Sequence, residues 1–172
     1  YVARDGGAQL EKLVVVKRML SHLVRDSRLV EDFLTEPRTA VKLDHSNIVR
    51  VHQIARDTND CYYAMDYVRG VDLRRLVNAL AKHDWAMSTE CAVLIAIELC
   101  AGLNVAHEQT GIDGKPLVHR DLAPSNVLLS RAGEIKLADF GRLIGPDQTR
   151  TGVLEGSIRK RIDKLEGTIG YM

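Results

Sequence analysis

The chain has 172 residues, enough for one domain with a real core, and its 24 Lys and Arg nearly balance 23 Asp and Glu for a formal charge of +1. That balance gives no reason to expect nucleic acid, or an acidic membrane surface, as a partner attracted by global charge. Cys61, Cys91 and Cys100 are an odd number in apolar contexts and read as buried free thiols in a reducing cytoplasm. The longest apolar run, Ala92 to Ile97, is broken by Glu98 and is too short to span a bilayer, so no membrane contact is expected from this segment. No signal-peptide pattern follows Tyr1, and the chain reads as cut from something longer.

After a turn at Asp5-Gly6-Gly7, the β-branched run Leu13-Val14-Val15-Val16 predicts a buried strand ending at Lys17. Leu29, Val30, Phe33 and Leu34 recur at helical spacing and predict a helix next. Pro37 is its weak point. It removes the amide that would bond Phe33, costs about 3 kcal/mol in a helix interior, and biases Glu36 away from helical geometry. Either the helix kinks there, or a second short helix starts with Pro37 in its first turn. Ile48 to Ile54 and Cys61 to Val68 are strand candidates around the polar turn Arg56-Asp57-Thr58-Asn59-Asp60. Ser88 is a plausible N-cap for a long helix to about His107, with Leu94, Ile97, Ala101 and Asn104 on one face. Gly111 to Pro116 is a loop, and Val127-Leu128-Leu129 and Ile135-Lys136-Leu137 bracket Ser130 to Glu134 as a hairpin. Strands with one helix, followed by a mainly helical half, predict an α+β fold in two lobes.

The chemistry concentrates in His119-Arg120-Asp121-Leu122-Ala123-Pro124-Ser125-Asn126 and, beyond the hairpin, Asp139-Phe140-Gly141. Asp121 is a candidate proton acceptor, and Asn126 and Asp139 offer oxygen ligands to a hard cation such as magnesium. Phosphoryl transfer needs those three groups, because its catalysis is mostly positioning plus neutralisation of developing charge. His119 and Phe140 read as packing residues. Arg120, beside Asp121, suits docking of a phosphorylated side chain.

The two motifs, in this order with strand-like sequence between them, resemble the catalytic loop and magnesium motif of the eukaryotic-like protein kinase superfamily. The Gly111 to Leu117 loop, rich in Gly and ending in Lys-Pro-Leu before the catalytic motif, is most like that of the bacterial Ser/Thr kinases. The resemblance covers essentially the whole chain. It implies a two-lobed kinase-like fold, truncated at both ends. Residues 1–68 would be the N-lobe and hinge without the glycine-rich loop, and residues 69–172 the first part of the C-lobe. It also implies ATP and Mg2+ as cofactors. Lys17 would reach the α- and β-phosphates, with Glu36 pairing it from the helix. The Asp66 carbonyl and Val68 amide would bind the adenine edge. Met65 would line the back of the pocket, and Leu128 would form the floor. Asp72 would sit near the ribose, though a helix-start carboxylate explains it equally well. The loop from Arg142 to Glu166 carries Thr149, Thr151 and Ser157 as candidate autophosphorylation sites, and Thr168 is the Ser/Thr-kinase choice near its end.

Three residues depart from the family's pattern. Ala123 stands where a Lys usually contacts the γ-phosphate, a loss of roughly 1.5–3 kcal/mol, or about ten- to a hundred-fold in rate. Val15 replaces a small residue over adenine, and Pro37 puts the Lys17–Glu36 pair in question. The resemblance therefore implies a cytoplasmic Ser/Thr protein kinase acting on protein hydroxyls, with an anchor elsewhere in a longer parent left open. The alternatives are a pseudokinase serving as a nucleotide-binding or scaffolding module and a small-molecule kinase of the antibiotic-phosphorylating type. Asp139-Phe140-Gly141 and Thr168 count against the latter. With half the large lobe absent, the long helix would expose an apolar face and the isolated chain would be poorly soluble.

Overall fold

The computed structural model describes residues 1–5, 12–111, 114 and 116–140. Gly6 and Gly7 of the predicted turn, residues 112, 113 and 115 of the 111–116 loop and everything from Gly141 onward, including Thr149, Thr151, Ser157 and Thr168, lie outside the described residues.

The first sheet is antiparallel, with β1 (Val2–Asp5), β2 (Lys12–Arg18), β3 (Val51–Arg56) and β4 (Cys61–Asp66) in the order β1-β2-β4-β3. β1 had no sequence expectation, since Val2 to Asp5 is too short and mixed to signal a strand alone. It forms because Val2 pairs with Val15 of the strongly β-branched β2. β3 starts later than expected, at Val51. Ile48 instead makes an isolated parallel bridge to Leu137, with a register shift between Val51 and Gln53 beyond it. β4 likewise stops at Asp66, before Val68.

Helix α1 (Ser27–Ala40) is capped by the Asp26 carboxylate, which accepts from the amides of Arg28 and Leu29 at 2.9 and 3.4 Å. Val30 and Leu34 point inward and are almost fully buried, in a cluster with Met19, Val24 and Cys61. Pro37 does not start a second helix: α1 runs through it as one element to Ala40, and the Val41 amide closes the end on the Pro37 carbonyl at 2.9 Å. The proline falls in the last turn, where few hydrogen bonds follow it, and its ring is itself buried.

The second sheet is β5 (Gly70–Asp72), β6 (Val127–Ser130) and β7 (Ile135–Leu137), paired in that order, so the expected hairpin is present. Helix α2 (Leu73–Lys82) follows β5 directly, capped by Asp72. It and β5 were not anticipated, although Leu73, Leu76, Val77 and Leu80 keep helical spacing. Helix α3 (Thr89–Glu108) has Ser88 as N-cap, as expected. Its buried stripe is Ile95, Gly102 and Ala106, whereas Leu94, Ile97, Ala101 and Asn104 all face outward. Gly102 marks a close approach, since a Cβ there would lie a tight 3.2 Å from the Asn47 carbonyl oxygen. Of the cysteines only Cys61 is buried. Cys91 and Cys100 sit exposed on α3, which corrects the expectation of three buried thiols.

As a whole, α3 is long and apolar enough to cross a membrane by length and composition, with a mean hydropathy of 1.6, which the broken run Ala92–Ile97 hides. Core helices of soluble domains share those properties. Glu98, in its middle, accepts a hydrogen bond from the Asn47 side chain at 2.5 Å.

The two sheets are joined by residues 47–49. Leu137 donates to the Asn47 carbonyl at 2.7 Å, Val49 donates to Leu137 at 2.9 Å, and the Asn47 amide side chain donates to the Ile135 carbonyl at 2.8 Å. One cluster including Ile48, Val51, Tyr63, Ile95, Leu117, Val127, Leu137 and Phe140 runs through both halves.

Gly70 marks the tightest strand contact, because a Cβ there would run into the Leu129 carbonyl of β6. Gly70→Ala is expected to push β5 off β6 and cost about 1–3 kcal/mol as overpacking does. A chemical-denaturation midpoint equal to wild type would refute this.

Candidate active site

Alternation along the strands puts one set of side chains over α1. Lys17 on β2 stands opposite Tyr63 on β4, and Val15 stands opposite Met65. Lys17 Nζ lies 3.3 Å from Glu36 Oε1 and also contacts Asp139 Oδ1. The Lys17–Glu36 pair therefore forms despite Pro37. The Tyr63 hydroxyl donates to the same Glu36 oxygen at 2.7 Å, and the Tyr63 ring centroid lies 5.6 Å from Lys17 Nζ. Burial pulls the Lys17 ammonium down, but the Asp139 and Glu36 carboxylates outweigh it and leave the group above its ordinary value. Tyr63 is pushed up, first by burial and then by Glu36 and Asp139, and so stays a proton donor.

The loop between α3 and β6 carries the second group. Arg120 adopts a left-handed φ of 61°, and so does Asp139 at 62°. Asn126 Nδ2 donates to the Asp121 carbonyl at 2.8 Å and to Asp121 Oδ2 at 3.3 Å, and this orients the carboxylate. Ala138 donates its amide to the Asn126 carbonyl at 2.8 Å, tying the Asp121 loop to the strand end that presents Asp139. His119 makes the same link from below: its Nε2 donates to the Ala138 carbonyl at 3.0 Å while its Nδ1 accepts from the Asp121 amide at 3.3 Å. Those two bonds fit only the neutral Nε2-protonated ring. Burial pulls its pKa below the ordinary imidazole value, against the Ala138 carbonyl and the nearby carboxylates. Its ring packs on Phe140 at 4.6 Å, so both are packing residues, as the sequence suggested.

Asn126 Oδ1 and the Asp139 carboxylate oxygens are hard donors, and the Ala138 amide on the Asn126 carbonyl brings together the backbone segments that carry them. That donor set suits magnesium, which takes few protein ligands and keeps water and phosphate oxygens for the rest. No group of three or more His, Cys, Asp or Glu side chains suited to a metal occurs among the described residues.

The remaining predicted residues lie at the end of β4, in the connection that follows it and on the β5–β6 pair. Met65 and Asp66 end β4 on the way to β5. The Asp66 carboxylate is turned to Lys12 and His52 at 2.7 and 2.8 Å; burial opposes its ionisation, but those two bonds hold its pKa below the usual range. Val68 is half-buried in the connection. Leu128 is paired with Asp72 across β5–β6. The Asp72 carboxylate caps α2, accepting from the Arg75 amide at 2.8 Å. Ala123 is buried, and its carbonyl accepts from the Asn126 amide at 2.9 Å in the short 3₁₀ turn Pro124–Asn126. Tyr63 is the site residue that sequence reasoning missed. Its position two before Met65 and opposite Lys17 could have drawn attention to it.

Residues 6–172 match the family model described as the protein kinase domain. The tyrosine-protein kinase MasK of Myxococcus xanthus is 38% identical over 91% of this chain and 25% of its own length. The serine/threonine-protein kinase PksC of Streptomyces coelicolor is 32% identical over 76% of this chain and 23% of its own. The crystal structure of the M. tuberculosis PknI kinase domain superposes with a TM-score of 0.63 at 26% identity, covering 81% of this chain and 52% of that one. The chain belongs to the protein kinase domain family and has its fold. It spans about a quarter of these curated relatives.

Because His119 is neutral in the fold, the unfolded chain takes up a proton that the folded one refuses once pH falls below the ordinary imidazole value. The stability that His119 contributes is therefore complete above that value and lost as pH falls below it, by up to about 1.4 kcal/mol per pH unit. The difference in unfolding free energy between wild type and His119→Gln should shrink between about pH 7 and 5. A difference constant over that range would contradict the neutral assignment.

Proposed function

We propose that the protein containing this chain is a serine/threonine protein kinase that transfers the γ-phosphoryl group of ATP to protein hydroxyls. One observation carries the reading: Lys17, Glu36 and Asp139 converge from three elements, and the Asp121–Asn126 loop is tied to the same strand end. Lys17 holds the nucleotide phosphates, and Glu36 holds Lys17. Asp121, oriented by Asn126, accepts or orients the proton of the attacking hydroxyl. Asn126 and Asp139 would hold magnesium, which supplies neutralisation of phosphate charge when bound. Val15, Met65 and Leu128 supply apolar walls for adenine, the Asp66 carbonyl and Val68 amide its hydrogen bonds, and Asp72 a ribose contact. Thr149, Thr151 and Ser157 are the proposed autophosphorylation sites, and the proposed location is cytoplasmic.

Two other readings each have an observation behind them. Ala123 in place of a phosphate-contacting cation favours a nucleotide-binding module without turnover. Pro37 no longer does, since the Lys17–Glu36 pair is formed. The identity to a relative named as a tyrosine kinase favours tyrosine as acceptor.

The test is magnesium-dependent transfer of labelled phosphate from ATP by the full-length protein beside Asp121→Asn, with otherwise identical peptides offering Ser, Thr or Tyr. Transfer to Ser and Thr that drops about 10²–10⁴-fold in the variant is expected. Nucleotide binding without transfer in the wild type would establish the non-catalytic module, and label confined to Tyr would establish the other acceptor.

A further inference from the structure

We propose that Tyr63 is a positioning residue for the nucleotide-anchoring pair: its hydroxyl fixes the Glu36 carboxylate where it meets Lys17. The role deepens the kinase reading and rests on it for its consequence in catalysis, but the contact stands by itself.

Tyr63 is 1% exposed, and its ring is wedged beside Phe33 with centroids 5.3 Å apart. Its one polar atom is spent on Glu36 Oε1, the oxygen that also meets Lys17. A phenylalanine would fill the same space, so the hydroxyl answers a polar need rather than a packing need.

That need follows from the sequence. Glu36 immediately precedes Pro37, so the Phe33 carbonyl lacks the amide that would complete the helix around it. Lys17 also has a second carboxylate, Asp139, in contact. A long Glu side chain without an anchor regains rotamer freedom and turns to water, leaving Lys17 to Asp139 alone. A buried hydroxyl donating to a carboxylate is a charge-assisted bond and opposes this release. The register Lys17 opposite Tyr63 makes the anchor part of the sheet, so it does not depend on the helix.

The test reads the Tyr63–Glu36 contact directly. In the full-length protein, chemical denaturation is compared for wild type, Tyr63→Phe, Glu36→Ala and the double variant, as a double-mutant cycle on the hydrogen bond. Each single variant is expected to lower the denaturation midpoint, and Tyr63→Phe to add little in the Glu36→Ala background. An unchanged midpoint in Tyr63→Phe, or fully additive losses in the double variant, overturns the proposal. Should Tyr63→Phe fail to fold, the wild-type Tyr63 hydroxyl proton decides by NMR. Slow exchange with water that is lost in Glu36→Ala supports the anchor, and fast exchange in the wild type overturns it. Neither measurement uses nucleotide or turnover, so absence of phosphoryl transfer would count against the kinase reading alone. Where transfer occurs, Tyr63→Phe should raise the KM for ATP about ten-fold with a smaller change in kcat.

Discussion

Lys17 is the charge on which the arrangement depends. It is two-thirds buried, a costly place for an ammonium group unless carboxylates meet it there. Two do, and they come from different parts of the chain: Glu36 from α1, Asp139 from the residue after next beyond β7. The sheet places the cation, the helix supplies one counter-charge, and the second half of the domain supplies the other. Displacing any of the three strips a partly buried charge of a partner, so the ion cluster ties the relative placement of β2, α1 and the end of β7 to the site.

A second constraint lies beneath it and is made of neutral groups. His119 joins the Ala138 carbonyl to the Asp121 amide, and Ala138 in turn holds the Asn126 carbonyl. These bonds fix two strained backbones, Arg120 and Asp139, whose left-handed φ values are costly for residues with a Cβ. A buried, neutral packing histidine thereby helps to set the backbone that carries both Asp121 and Asp139.

Much of this was legible in the sequence because it is local. A β-branched run marked β2, two short apolar segments around a polar turn marked β6 and β7, apolar spacing marked α1, a serine before an apolar stretch marked the start of α3, and the motif residues carried their chemistry in their types. What was not legible depends on pairing across distance. β1 exists only because β2 accepts it. The inward face of α3 is the one that meets Asn47 and Ile48, which approach closely at Gly102, and not the one with its largest apolar residues. Asp72 was readable both as a ribose contact and as a helix-start carboxylate, and the structure shows it capping α2. Tyr63 carried no motif at all, since its partner is 27 residues away in sequence.

Pro37 shows why a propensity rule is a poor guide to a site. The rule counts the lost amide and the clash, and both are real, but their cost depends on how much helix follows. Here α1 ends at Ala40, so little follows, and the ring is buried where it contributes packing. The weakness that remains is confined to the residue before it, Glu36, which two side chains anchor, Lys17 and Tyr63. If Asp139 is to serve as a metal ligand, its carboxylate must give up part of its hold on Lys17, and Glu36 then remains as the main counter-charge. The anchoring of Glu36 matters most in that state, which makes the buried hydroxyl more than a repair of the local helix.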